Sequence, residues 1–478
     1  MSNDFDVTII GSGPGGLAAL SAIREDYSIN MLSDVQLNRA SRHIRESNKR
    51  SKAKRICVID PNPDWLSQWE RNFEALDISF LRSPTVAHCC YFDRNALLAY
   101  AISQGREDEL LESGCSDIKS LKGTILPQVG LWKLPSTKLF IDFSRDLARL
   151  LKHKYIQGKV VDIDKDDSLD SSFKITIGGN SEKVISSKSV ILATGAVGRP
   201  IIPKPIKELS STRIFQWQQL DQAISSLEQC AAKKRKVLVV GGGLTAVQTA
   251  HKVVKKSGAE VVLCSRRDLV ERHFDIPVKW FDEREARFHQ SQFYFEPEEE
   301  RLKALKSTRG GGTVPPVYMK KTRALEIRGL ITRMTGDVVS ITEENDDSLM
   351  VTIKRADDSS EETIEIDVII VACGLKPDCM AHPLVQKIQE KWPIKMTGGF
   401  PIVSDELQWT ENLHVVGGLS SLSVGPDANN IMGISRAAET VANALNSKNW
   451  LRKKESNVLR NPFDVFLDET DVSSDEEE

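Results

Sequence analysis

Two strand, glycine-turn and helix units lie far apart in one chain, each answered later by a closing strand with a small-x-Gly end. Together they predict an α/β protein of two Rossmann-like, doubly wound, three-layer dinucleotide-binding domains, the later one inserted into the earlier. The 478 residues leave room for two such domains and some additions.

The first unit reads "DVTIIGSGPGGLAALSAI". An apolar strand from Val7 to Ile10 runs into Gly11, Gly13, Gly15 and Gly16, and small and apolar residues then follow at helical spacing. In this G-x-G-x-x-G turn Gly11 makes the bend, Gly13 lets main chain approach a pyrophosphate, and Gly16 lets the helix press on the strand. The free amides of the helix N-terminus then face the phosphates. A ribose-binding acid is expected at the end of the next strand, "KRICVID", which makes it Asp60. Between the two strands lies a basic insert, about residues 29–55, with eight Lys or Arg from Arg39 to Arg55. A solvated loop or surface helix accounts for it, with a localisation or polyanion-binding patch as the other reading.

The second unit, "RKVLVVGGGLTAVQTAHKVVKKSGAEVVLCSRR", repeats the pattern with Gly241, Gly243 and Ala246 in the G-x-G-x-x-A form. Where an acid would bind the ribose of NAD stand Ser265, Arg266 and Arg267. Two guanidiniums there suit a 2'-phosphate, so NADPH is expected in preference to NADH. The closing strands are "KSVILATGAVGRP", carrying Ala193, Thr194 and Gly195, and "IDVIIVACGLKPD", carrying Gly374; small residues there avoid collision with a cofactor. Near the end, "ENLHVVGGLSSLSVGPDANNIMGISRAAE" reads as a strand to Gly417, a long turn and a helix from about Asn430, a further ligand contact.

Charge and composition exclude other classes. With 64 Lys and Arg against 67 Asp and Glu the net charge is −3, so no global basic field favours nucleic acid. No apolar run approaches the roughly 20 residues of a membrane span, and no basic, cleavable leader opens the chain, so a cytoplasmic protein is expected. The eight cysteines show no metal or disulfide spacing. Cys57, Cys264 and Cys373 read as small buried hydrophobes, and the vicinal Cys89 and Cys90 as a strained candidate redox pair. The tail 451–478 ends in an acidic run expected to be disordered.

The ordered set of motifs from residue 5 to about 447 resembles the flavoproteins with two dinucleotide-binding domains. Within them it is similar to the class B flavin monooxygenases, especially the enzymes that N-hydroxylate lysine and ornithine. "LRSPTVAHCCYFDRNALLAYA", "LPSTKLFIDFSRDLARLL" and "ATGAVGRPIIP" carry that likeness. The resemblance implies FAD on the first domain (1–210 with 381–450) and NADPH on the second (211–380, with an insert at about 268–330). It implies an oxidoreductase that passes hydride from NADPH to flavin and uses oxygen to hydroxylate a small substrate. Arg82 and His88 are the candidate catalytic residues, placed where the flavin ring should lie. Two departures stand out: Gln216 or Trp217 holds the position of a motif histidine, and Thr137 or Lys138 that of an arginine. The alternatives are a flavin reductase or oxidase serving a quinone, protein or other acceptor, and a non-enzymatic redox-sensing flavoprotein. A homo-oligomer is left open. The stretch from Glu271 to Phe295 reads as an amphipathic lid or interface helix, and "RGGGTVPP" (Arg309 to Pro316) as a mobile loop.

Overall fold

The computed structural model describes residues 4–24, 54–114, 132–166, 172–179, 182–196, 198–232, 235–280, 282–344 and 348–450. The basic insert, save Lys54 and Arg55, lies outside these residues, as do Cys115 and the acidic tail.

Strand Asp4–Ile10 is the centre of an eight-stranded sheet. It runs parallel to Ile56–Asp60 on one side and to Lys183–Leu192 on the other. Lys154–Gln157 and Leu413–Val415 extend the parallel set outward. A parallel strand covered on both faces must be apolar at nearly every position, and Val7, Thr8 and Ile9 are all buried. Helix Pro14–Arg24 follows at once, with proline at its first position, where the missing N–H costs nothing.

The second sheet has seven strands around Lys236–Val240. That strand is parallel to Glu260–Ser265 and Val368–Val371, with Ile331–Glu344 and Ile214–Gln216 outside them. The spatial order of parallel strands therefore repeats the first sheet, with one change. The outer strand beside Val368–Val371 comes before its unit in sequence, whereas its counterpart, Leu413–Val415, comes after.

Period-2 alternation decides what covers each face of the second sheet. Val237, Val239, Val261 and Leu263 share a core with Ala246, Val247 and Ala250 of helix Leu244–Ser257 and with Leu220 and Leu227 of helix Leu220–Ala232. Leu238, Val240, Val262 and Cys264 share the opposite core with Leu349, Val351, Ile353 and Ile366. These last residues belong to an antiparallel meander formed by Ile331–Glu344, Ser348–Arg355 and Glu361–Ile366. Three layers are present as expected, the third being a β-meander in place of helices. A matching meander, Lys159–Asp166, Ser172–Gly178 and the start of Lys183–Leu192, stands at the same point of the first unit.

The segments joining the two sheets, Gly198–Pro200 and Leu375–Pro377, pair with each other as an antiparallel ribbon. Arg199 and Asp378 close it with a 2.5 Å ion pair. A second tie sits apart from the ribbon, where Lys252 and Lys255 of the second unit both bond Asp77 of the first, at 2.5 and 2.6 Å.

Candidate functional site: two phosphate cradles

The two glycine turns are built by the same bonds. In the first, the Gly11 amide donates to the Ile59 carbonyl and the Ala193 amide to the Ile10 carbonyl, each at 2.9 Å. In the second, the Gly241 amide donates to the Cys264 carbonyl at 2.9 Å and the Ala372 amide to the Val240 carbonyl at 2.8 Å. A crossing carbonyl explains the first glycine of each motif. A Cβ on Gly11 would lie 2.3 Å from the Ala193 oxygen, and one on Gly241 2.3 Å from the Ala372 oxygen. Both have positive φ, +111° and +150°. A Cβ on Gly16 would meet the Gly11 oxygen at 1.9 Å, so the helix packs as close as the motif requires. Ala246 holds that place in the second unit and is buried.

At the second glycine the cradles differ. Nothing stands within 4 Å of a Cβ built on Gly13, so the first cradle is open above its helix N-terminus. Asp60 sits at the expected strand end and supports the turn: one carboxylate oxygen accepts from the Ser12 amide at 2.9 Å, the other from the Asn62 amide and side chain at 2.8 and 2.7 Å. The Tyr155 hydroxyl braces the same turn through the Ser12 hydroxyl and the Asn62 carbonyl. A Cβ on Gly15 would meet Val416 at 3.6 Å. Gly195, Gly374 and Gly417 lie at strand ends with open space where a side chain would be. Between Ala193 and Gly195, the Thr194 hydroxyl is buried without a hydrogen-bond partner among the described residues. An open cradle, a carboxylate at the strand end and an unsatisfied hydroxyl fit an adenine dinucleotide such as FAD.

In the second cradle Ser265 is buried, and its hydroxyl donates to the Arg267 carbonyl at 2.8 Å. Arg266 and Arg267 are exposed beyond it. Cys373 occupies the position equivalent to Thr194 and is half-buried, with its Sγ against the Val240 carbonyl. Cys57, Cys264 and Cys89 are buried free thiols, and Cys90 is half-buried. Burial pushes the Cys57 and Cys264 thiols up to about 12, so neither is a ready nucleophile.

Arg82 and His88 are committed to structural bonds. The Arg82 guanidinium donates to the carbonyls of His273, Arg272 and Thr313 at 2.8, 2.8 and 3.3 Å and to the Thr313 hydroxyl at 2.8 Å. Burial brings its pKa down to about 10, and it stays charged at neutral pH. In this arrangement it clamps the two units together. His88 Nε2 lies 3.0 Å from the Arg94 carbonyl and Nδ1 accepts from the Cys90 amide at 3.2 Å, which selects the Nε2–H tautomer. Burial brings its pKa down to about 4, against the opposing pull of the two main-chain bonds. Sequence spacing could not show these bonds, because Arg82 meets carbonyls some 190 positions away.

The insert after the second cradle forms a small core of its own. Helix Glu283–Phe295 places Phe293 beside Trp280, which packs with Phe274, Ile276, Leu305 and Leu422. The aromatics of that stretch are therefore only partly core, and Phe288, Tyr294 and Phe295 stay exposed. Asn430 is turned to this insert. Its side chain donates to Asp275 at 3.1 Å and accepts from Arg309 at 3.2 Å. Beside it the fully buried Asp427 pairs with Arg436, and burial outweighs that partner enough to raise the carboxyl pKa. The sequence reading missed Asp427, Arg436 and Arg309, whose partners belong to other segments of the chain.

Comparison with known proteins agrees with this architecture. Residues 149–290, which include the second glycine turn, match the family described as pyridine nucleotide-disulphide oxidoreductase. No curated protein matches the chain in sequence. Among solved structures, the reduced ornithine hydroxylase of Pseudomonas aeruginosa is similar with a TM-score of 0.65 at 16% identity, over 93% of this chain and 99% of that one. The ornithine N-hydroxylase of Kutzneria sp. 744, solved with reduced FAD, NADP+ and L-ornithine, gives 0.65 at 14% identity over the same shares, 93% and 99%. L-lysine 6-monooxygenase of Pseudomonas syringae gives 0.61 at 16% identity, over 93% and 100%. At these identities the shared property is the fold: an α/β architecture with two Rossmann-type units.

Two outcomes follow from the geometry. Gly11→Ala and Gly241→Ala should each cost at least about 2 kcal/mol in chemical denaturation, through backbone strain and collision with the crossing carbonyl. His88 and His251, both held at about 4 by burial against an ordinary 6.5, stay neutral in the fold. Their contribution is present above pH 6.5 and is lost as pH falls toward 4. Within that window His88→Gln should reduce the slope of stability against pH by about 1.4 kcal/mol per unit.

Proposed function

We propose that the chain is an FAD-dependent oxidoreductase that takes hydride from NADPH and uses oxygen to hydroxylate a small amine. Residues 1–210 and 381–450 would hold the flavin and 211–380 the nicotinamide nucleotide. The observation that carries the reading is the bond-for-bond match of the two glycine turns, which gives one chain two sites for dinucleotides. The similarity to ornithine and lysine hydroxylases supports the substrate class.

FAD supplies the hydride acceptor and the oxygen chemistry when bound. The chain's own part is positioning. The turn from Ser12 to Gly13 and the amides opening helix Pro14–Arg24 would bind the pyrophosphate, whose charge the helix N-terminus favours. Asp60, already fixing the Ser12 amide, stands where a ribose hydroxyl is read. The Thr194 hydroxyl offers a donor, and the bare faces of Gly195 and Gly417 let ring atoms come close to main chain. Arg266 and Arg267 would hold the 2'-phosphate. No C-x-x-C or C-x-x-x-x-C pair exists in the sequence, so electrons have no cysteine relay of the disulfide-reductase kind.

Purified protein should carry a flavin spectrum that NADPH bleaches. Reoxidation in air with lysine, ornithine or a simple diamine should give hydroxylated amine with little hydrogen peroxide. Protein that neither retains nor takes up FAD would end the reading, and peroxide equal to NADPH consumed with every amine would replace it by an oxidase. Gly13→Ala, facing open space, should leave the unfolding free energy within about 0.5 kcal/mol of the parent. The same variant should lose flavin during purification.

A further inference from the structure

The second cradle is covered by the chain's own main chain. A Cβ built on Gly312 would stand 2.5 Å from the Gly243 Cα and 3.0 Å from its nitrogen, and one on Gly243 would meet the Gly312 Cα at 3.3 Å. The corresponding Gly13 has nothing within 4 Å. Because the two turns share their bonds, the difference lies in what rests on the second one. The loop expected from the sequence to be mobile is the covering piece.

Both ends of this loop are tied to the first unit. On one side Gly310 ends helix Glu298–Arg309 in a left-handed turn, and the Arg309 guanidinium donates to the Pro426 carbonyl at 3.0 and 3.2 Å. On the other side Thr313–Val314 pairs with Val270–Glu271, and Thr313 is gripped by Arg82. The middle is fastened by the second unit itself. The Arg267 guanidinium donates to the Gly310 carbonyl at 2.6 Å and fills the space beside Gly311, 2.0 Å from where a Cβ would be. Arg267 is also one of the two arginines placed to read a 2'-phosphate.

We propose that Gly310–Gly312 is a displaceable strap over the second phosphate cradle, and that Arg267 is its latch, released when the guanidinium turns from the Gly310 carbonyl to a 2'-phosphate. The inference rests on the nucleotide reading above and adds a regulated entry to that site. A pyrophosphate and the strap compete for the face of Gly243, so apparent affinity is scaled by the fraction of molecules with the strap displaced. A phosphate offers the guanidinium a charge-assisted bond stronger than the neutral carbonyl it leaves. A nucleotide without the 2'-phosphate has to displace the strap with the latch still closed. Donor choice is thus set twice by one side chain.

Equilibrium binding of NADP+ and NAD+ to the flavin-loaded full chain tests this. Gly312→Ala, whose methyl cannot sit on Gly243, should tighten both nucleotides by about tenfold. Arg267→Ala should weaken NADP+ and yet tighten NAD+, because the latch is gone; a purely phosphate-reading arginine would leave NAD+ unchanged. Unchanged or weaker binding by Gly312→Ala, or unchanged NAD+ binding by Arg267→Ala, removes the strap while the nucleotide reading stands. Absence of binding by the parent and both variants removes the reading and the strap with it. A measurement on the parent protein guards against misfolded variants: NADP+ should speed amide hydrogen exchange across 310–313, and slowed or unchanged exchange there overturns the proposal.

Discussion

A peptide carbonyl crossing directly behind a glycine turn is the constraint on which the rest of the molecule depends. Ala193 and Ala372 deliver that carbonyl from the closing strand of each unit to within contact of Gly11 and Gly241. The close pass fixes the closing strand beside the first strand and leaves room for no side chain at the bend. It also aims the following helix at the space above the sheet. A bulkier residue at either point would push the strands apart and turn the helix away from its ligand. The same geometry occurs twice, although the units differ in nearly every other residue, because the constraint comes from main chain and not from side-chain chemistry.

Much of this was legible in the sequence, since the signals are local. The runs around Val7 to Ile10 and Val237 to Val240 are apolar at every position but Thr8, as strands buried on both faces nearly must be. The glycine spacing then located both turns, and Asp60 ends the next strand, as the apolar run before it indicated. The partners of Arg82 and His88 were hidden for the opposite reason. Position beside a cofactor can be guessed from spacing, but a hydrogen-bond partner supplied by a distant segment cannot. Arg82 answers carbonyls of the insert, and His88 answers the main chain of its own loop. The meander layers were equally hidden, because Leu349, Val351 and Ile353 alternate like any half-buried strand and carry no mark of which sheet they cover.

Polar groups hold the insert against the body of the protein. Asp427 is fully buried and depends on Arg436, while Arg309 reaches the Pro426 carbonyl, Asn430 and Asp275. Removing one member of a buried pair exposes the other to an uncompensated desolvation cost, so such networks specify position more than they add stability. The aromatic cluster of Trp280, Phe274 and Phe293 supplies the apolar adhesion, and the arginines set its register on the final helix. The two kinds of contact together let the insert lean on both units at once.

The antiparallel ribbon of Gly198–Pro200 with Leu375–Pro377 brings the entry and exit of the seven-stranded unit side by side. Chain ends that leave a folded body as neighbours behave like the two leads of a plug. The whole body can be added to a host loop without stretching either partner, and the Asp77 pairs and the Arg82 clamp then fix it in place. The outer strand Ile214–Gln216, borrowed from just past the joint and preceding its unit, completes such a cassette from within. The outer parallel strand that the eight-stranded host takes from the far end of the chain, Leu413–Val415, was never needed by the guest.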